Sequence, residues 1–234
     1  MALNRIPIKF NMLRGRTVLA IKYEKGVLIV ADKILVSPKG TEYHGKERIF
    51  KISEIIILGG SGDSADLQNI IDKIEELKFE HDRYGITLTP LMLSNWLTKQ
   101  FYFHHTNGST LHIDVIVGGL EAGEPFLAHI RHDGSAWEHT YTACDFYCDI
   151  VPGDVSYKNL VYEHIKAEIN KLSSCSVEGK PSNLIRREEA LTIIIDAAKH
   201  MSRRFKHSNE VYLLGECDIV DKNSCNIAIE ELSC

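Results

Sequence analysis

Apolar and polar residues alternate through "TVLAIKY", pause at the polar "EKG" and resume in the denser run "VLIVAD", which predicts a β-hairpin. "RIFKIS" and "IIILGG" continue as strands. The spacing then changes: Leu67, Ile70, Ile71, Ile74 and Leu77 recur at helical intervals in "SADLQNIIDKIEELKFEHDRYG", with Asp63 or Ser64 placed to cap the helix and Gly85 to end it. A second helix starts at "TPLMLSNWLTKQFYF", where Thr89 caps and Pro90 takes the first helical position. Strand alternation returns in "LHIDVIVGGLEAGEPFLAHIRHDGSAWEHTYTA", punctuated by turns at "EAG" and "HDG". Two helical patterns, "SYKNLVYEHIKAEINKL" and "REEALTIIIDAAKHMSRRF", flank the polar loop "SSCSVEGKPSN", and "EVYLLGECDIV" and "NIAIEEL" close the chain as strands. Strands joined by short turns and grouped between pairs of helices predict an α+β fold. Two antiparallel sheets pack face to face with helices outside both, rather than the alternating units of a parallel sheet.

At 234 residues and 44% apolar content, the chain has enough material for one substantial core, and a single domain is expected. The net charge of -5, with both signs interspersed and no basic block, argues against nucleic acid and anionic membranes as partners. "MALNRIPIKFNML" has Arg5 and Lys9 among its apolar residues and lacks the continuous apolar core of a signal peptide. The six cysteines, Cys144, Cys148, Cys175, Cys217, Cys225 and Cys234, form no CxxC pair and read as reduced thiols of an intracellular protein. His139 with Cys144 and Cys148 is a loose zinc pattern, weighed against plain thiols; no metal and no cofactor is expected.

"GGSGDSAD", residues 59–66, follows a strand and opens a helix, so its amides could cradle a phosphate. It lacks the Gly-Lys-Ser/Thr of a P-loop and the second glycine of a dinucleotide site, and Asp63 stands where a nucleophile elbow needs its last glycine; a tight strand-to-helix turn is the simpler reading. His104, His105 and His112 have no carboxylate at a spacing that makes a triad, and "FYFHH" reads as core aromatics followed by surface.

"RGRTVLAIKYEKGVLIVAD", together with "RIFKIS", "GGSGDSADLQ", "LTPLMLSNWLTKQFY" and "VIVGGLEAGEPFL" in that order, resembles the β-type subunits of the proteasome core particle, members of the N-terminal nucleophile hydrolases. The resemblance covers most of the chain and weakens from Asp145 onward, with residues 173–183 as an insertion. It implies a four-layer α-β-β-α sandwich, in agreement with the turn and period pattern. In active members, cleavage after a glycine frees a threonine whose hydroxyl attacks a peptide carbonyl while its own α-amine takes the proton.

Placing Gly15 on that glycine and Asp32 on the hairpin aspartate puts Arg16 at the nucleophile position, with Thr17 one residue further in. The family's catalytic lysine falls on Arg48, a guanidinium that stays protonated and carries no proton back and forth. Its glycine-serine-glycine loop falls on Asp145, Phe146 and Tyr147, and its bracing aspartate and serine on Arg204 and His207. The resemblance therefore implies a site with no catalytic residue, in which Asp32 and Arg48 form a structural ion pair.

Within the family, "GGSGDSADLQ", "NWLTKQFY" and "VIVGGLEAGEPFL" look most like the seventh, non-catalytic member, and "SRRFKHSNEVYLLGECDIVDKN" like the fourth. The implied role is architectural. The chain would occupy one place in each of the two β rings, two copies per particle, against other β and α subunits around the chamber where proteins are degraded in the ubiquitin-dependent pathway. Residues 1–15 would be a propeptide-like or retained segment and residues 16–234 the β-type domain, in cytoplasm and nucleus. The seventh member would use a C-terminal extension to clasp the opposite ring, an expectation that the stop at Cys234 soon after "IEELSC" leaves open. Two other readings stay open: an active threonine-type endopeptidase with Thr17 made N-terminal by trimming, and an unrelated binding or phosphate-using α/β protein.

Overall fold

The computed structural model describes residues 12–145, 157–175, 185–205 and 211–233. Its strands are β1 (Arg14–Gly15), β2 (Val18–Tyr23), β3 (Gly26–Asp32), β4 (Ile34–Val36), β5 (Glu42–His44), β6 (Ile49–Lys51) and β7 (Ile56–Asp63). Helices α1 (Ser64–Arg83) and α2 (Pro90–Thr106) follow, then β8 (Ile113–Glu121), β9 (Glu124–Ile130), β10 (Ala136–Glu138) and β11 (Tyr141–Cys144). Helices α3 (Tyr157–Cys175) and α4 (Arg187–Phe205) precede β12 (Val211–Asp221) and β13 (Ser224–Ser233). One sheet runs β10-β9-β8-β7-β1-β4-β5 with β6 also on β7, the other β11-β2-β3-β12-β13, and neighbours in both pair antiparallel.

The period of two explains the layers. In β2 and β3, Val18, Ala20, Val27, Ile29 and Ala31 meet Ile49, Ile57, Ile116 and Leu127 of the opposite sheet, forming the core between the sheets. The alternate residues Leu19, Ile21, Tyr23, Leu28 and Val30 pack instead on Ile165 of α3 and on Ala190, Ile193, Ile194, Ala197 and Ala198 of α4. On the other side, Ile56, Leu58, Ile113, Val115 and Val117 receive Leu67, Ile70, Ile71 and Ile74 of α1 with Leu93, Leu97 and Phe101 of α2. The result is the four-layer α-β-β-α sandwich that pattern and resemblance both predict.

Caps and turns behave as their chemistry dictates. The Asp63 carboxylate accepts from the Ala65 amide at 3.0 Å, so Asp63 rather than Ser64 is the cap of α1, and Gly85 takes φ +66 past its end. Thr89 caps α2 through the Met92 amide, and the helix runs on through His104 and His105 to Thr106. Ala122 and Gly123 both take positive φ in the "EAG" turn.

The glycine-rich stretch departs from expectation: β7 does not end at Gly60 but continues to Asp63 before α1 begins. Pairing explains it, since β1 and β8 flank residues 62–63 and hold them extended. At Gly62, φ is +111 and a Cβ would lie 2.2 Å from the His112 carbonyl oxygen, which is backbone and cannot swing away. Gly62→Ala is expected to destabilise the chain by roughly 1–3 kcal/mol from backbone strain alone. A denaturant midpoint equal to that of the parent chain would refute this. The predicted loop at residues 173–183 is also shortened, because α3 reaches Cys175; residues 176–183 lie outside the described residues. No helix among the described residues is long and apolar enough to cross a membrane.

Candidate functional site

Residues 16 and 17 carry the chain from one sheet to the other. Before them β1 is sandwiched between β4 and β7, with Gly15 opposite Leu35 on one side and Gly62 on the other. After them β2 begins the second sheet. Gly15 is thus built into the sheet framework immediately ahead of the crossing.

Arg48, 1% exposed, fills the space beneath this crossing. Its Nη2 pairs with the Asp32 carboxylate, its Nε donates to the Asp32 carbonyl at 3.1 Å, and its Nη1 donates to the Arg16 carbonyl at 2.5 Å. Weaker contacts reach the carbonyls of Gly60 at 3.4 Å and Thr17 at 3.5 Å. A planar fork of five donors suits such a ring of acceptors, whereas an ammonium has three. The other Asp32 duty is local: its carboxylate accepts the Ile34 amide at 3.2 Å. Gly15 is held to glycine by the same cation, since a Cβ there would sit 2.5 Å from Arg48 Cδ and 2.9 Å from Nη1.

Thr17, 2% exposed, donates its hydroxyl to Asp145 Oδ2 at 2.7 Å. Asp145, which the resemblance places only in the family's glycine-serine-glycine loop, is the acceptor that holds the threonine side chain. Arg16 turns the other way, its Nη2 2.6 Å from Glu42 Oε1. The structure therefore brings Arg16, Thr17, Asp32, Arg48 and Asp145 together. Phe146, Tyr147 and His207 lie outside the described residues, as does the side chain of Arg204, whose backbone is in the last turn of α4.

The glycine-rich turn offers little to a phosphate. The Ser64 amide donates to the Leu13 carbonyl and the Ala65 amide to Asp63, so the first donors of α1 are answered within the chain. At the end of α2 His104 is half-buried and His105 exposed, with Ser109 and Thr110 respectively as partners. His112 corrects the sequence reading: it is buried, and Asp66 accepts its amide at 2.9 Å and approaches its ring at 3.5 Å. Cys144 is buried against the Asp114 carbonyl, Cys148 lies outside the described residues, and among those residues no three potential metal ligands converge.

A second polar cluster escaped sequence reasoning. Asp114 is fully buried on the face of β8 that looks into the space between the sheets, and His129 occupies the equivalent face of β9. Asp114 Oδ1 accepts the His132 amide at 2.9 Å and contacts His132 Nδ1 at 3.0 Å. Its Oδ2 lies 3.7 Å from His129 Nε2, close enough for charge attraction but too long for a hydrogen bond. Thr142 of β11 lies 3.5 Å from His129 Nδ1. Burial alone would raise the Asp114 carboxyl, but the polar contacts and charges of His129 and His132 outweigh it and hold the group well below the usual carboxylate range. Parity was the available signal: Asp114 shares a face with Ile116, and His129 with Leu127.

A family model described as proteasome subunit matches residues 12–144, the segment from β1 to β11 that supplies every residue of both clusters except Asp145. Over 135 residues the chain is 36% identical to proteasome subunit beta type-4 of Drosophila melanogaster, covering 56% of this chain and 50% of that protein. It is 26% identical over 212 residues to probable proteasome subunit beta type-7 of Encephalitozoon cuniculi, covering 86% and 84%. Against proteasome subunit beta type-7 of Saccharomyces cerevisiae it is 25% identical over 142 residues, covering 58% and 53%. In several of these curated relatives the matched part spans about half the length.

Proposed function

The chain belongs to the proteasome subunit family, and from that premise we propose that it is a β-type subunit with an architectural role and no peptidase chemistry of its own. The observation that carries this reading is the Arg48 guanidinium lodged under the Arg16 and Thr17 carbonyls, a permanent cation that carries no proton back and forth. An N-terminal nucleophile needs a basic amine on the same residue as its hydroxyl. Here Arg16 supplies no hydroxyl, and the Thr17 hydroxyl is committed to Asp145. Gly15, which in an active member would mark the cleavage point, has a structural reason to be glycine in the approach of Arg48.

Such a subunit would take one place in each β ring of the particle, beside other β and α subunits, in cytoplasm and nucleus, with the segment ahead of residue 16 retained. The seventh position follows from the sequence resemblance, and the relatives carry both type-7 and type-4 names. The type-4 name of the Drosophila relative supports the fourth.

The test is mass spectrometry of the native N-terminal region after exposure to an electrophile that captures N-terminal threonines. A peptide with the Gly15–Arg16–Thr17 bonds intact and no adduct is the expected result. A polypeptide beginning at Thr17 and covalently trapped there would establish the active endopeptidase instead.

A further inference from the structure

We propose that Cys217 and Cys225 form a peroxide-responsive dithiol that closes reversibly to a disulfide between β12 and β13. The proposal goes beyond the architectural reading and does not depend on it. Cys217 lies opposite Ile227 and Cys225 opposite Ile219, which makes the two cysteines diagonal neighbours on adjacent antiparallel strands. Their sulfurs are 3.0 Å apart and both thiols are free. The sulfurs stand about 1 Å beyond the ordinary disulfide length, and closing the bond across this diagonal also draws the two strands together.

The two thiols are not equivalent, and their difference assigns their order of reaction. Cys217 is fully buried in the core between the sheets, whereas Cys225 is half-buried at its margin. The Cys217 thiol donates to Cys225, which lowers the Cys225 thiol against the opposing effects of burial and the Glu54 charge, with Lys51 adding to the lowering. The same hydrogen bond, with burial, pushes Cys217 up. A reachable sulfur favoured as thiolate beside a buried protonated partner is the division of labour of an attacking and a resolving cysteine.

The chemistry balances with a hydroperoxide as oxidant. The Cys225 thiolate attacks one peroxide oxygen, an S–O bond forms, the O–O bond breaks, and with hydrogen peroxide the departing hydroxide is protonated to water. Cys217 then attacks the Cys225 sulfur, the S–S bond forms, the S–O bond breaks, and hydroxide leaves with the Cys217 proton as a second water. Two thiols lose two electrons in total, and the peroxide gains them. Forming the Cys225 thiolate gives up the hydrogen that it donates to the Glu54 carbonyl at 3.0 Å, a tether between β13 and the turn that joins β6 to β7 in the opposite sheet, and closure to the disulfide keeps that tether broken.

The test uses the full-length chain purified from its native source, reduced, treated with hydrogen peroxide near neutral pH, blocked with a maleimide and mapped by mass spectrometry. The expected result is that Cys217 and Cys225 lose their thiols on one time course, appear linked to each other, and return on treatment with dithiothreitol while Cys144 stays reduced throughout. Cys217→Ser should divert Cys225 to the sulfinic acid; the wild-type mapping stands without this variant should the buried substitution impair folding. The proposal is overturned if wild-type Cys225 accumulates as sulfinic acid beside a free Cys217. It is equally overturned if Cys225 links to another cysteine, or if the pair stays reduced after Cys144 has been oxidised.

Discussion

Arg48→Ala is expected to lower the unfolding free energy by about 3–5 kcal/mol, the usual result of removing one partner from a buried ion pair. The cost arises from what stays behind. Asp32 is 6% exposed and would keep a carboxylate with no counter-cation, and the Arg16 carbonyl would lose its 2.5 Å donor at the sheet crossing. Arg48→Lys should recover part of the loss, because charge is retained while a compact ammonium reaches fewer of the acceptors that the fork now serves. Equilibrium denaturation of the three proteins gives the ranking. An Arg48→Ala chain within about 1 kcal/mol of wild type would mean that the cation does not hold the crossing closed. Arg48→Lys also has a functional arm. The substitution places at residue 48 the lysine that the sequence resemblance implies for catalytic members, and on the architectural reading no peptide-bond cleavage should appear, because Arg16 offers no hydroxyl.

The dominance of Arg48 was partly legible in the sequence. Its match to a family lysine and its pairing with Asp32 followed from the resemblance; its role as the filler against Gly15 did not, since that depends on two strands distant in sequence meeting under one loop. The layers were legible for a different reason. Strict alternation in β2 and β3 and the helical spacing of Leu67, Ile70, Ile71 and Ile74 each carry several repeats of one period, enough to fix which face is buried. Strands β1, β4, β5 and β10 have two or three residues each, too few for any period to register, and pairing with longer neighbours defines them. The extension of β7 through Ser61, Gly62 and Asp63 was hidden by local propensity, which disfavours glycine in strands and was overridden by partners on both sides. Beyond the "EHT" stretch, β11 joins β2 in the opposite sheet rather than β10, a change of layer that no turn residue announces.

That change of layer brings Thr142 and Cys144 down onto β8 and β9 and encloses Asp114, which sets the second large expected effect. Asp114→Ala should cost about 3–5 kcal/mol near neutral pH, since it removes the carboxylate that meets the His132 amide and imidazole and leaves His129 facing a void. Asp114→Asn keeps the shape and an acceptor oxygen but loses charge assistance, and about 1.5–3 kcal/mol is expected. The pH dependence has a fixed sign. The folded-state carboxyl is held below its ordinary value, so the stability it contributes is complete above the unfolded-state value near 3.9 and disappears as pH falls through the lower folded-state value. Wild-type stability should therefore fall on acidification below about pH 4, where the unfolded state takes up a proton that the folded Asp114 refuses. In Asp114→Asn this share of the loss is already incurred at neutral pH, and its acid slope should be shallower, so the two stability curves converge as pH drops. Parallel curves from pH 7 down to pH 3 would show that Asp114 does not titrate between the folded and unfolded states as its surroundings require.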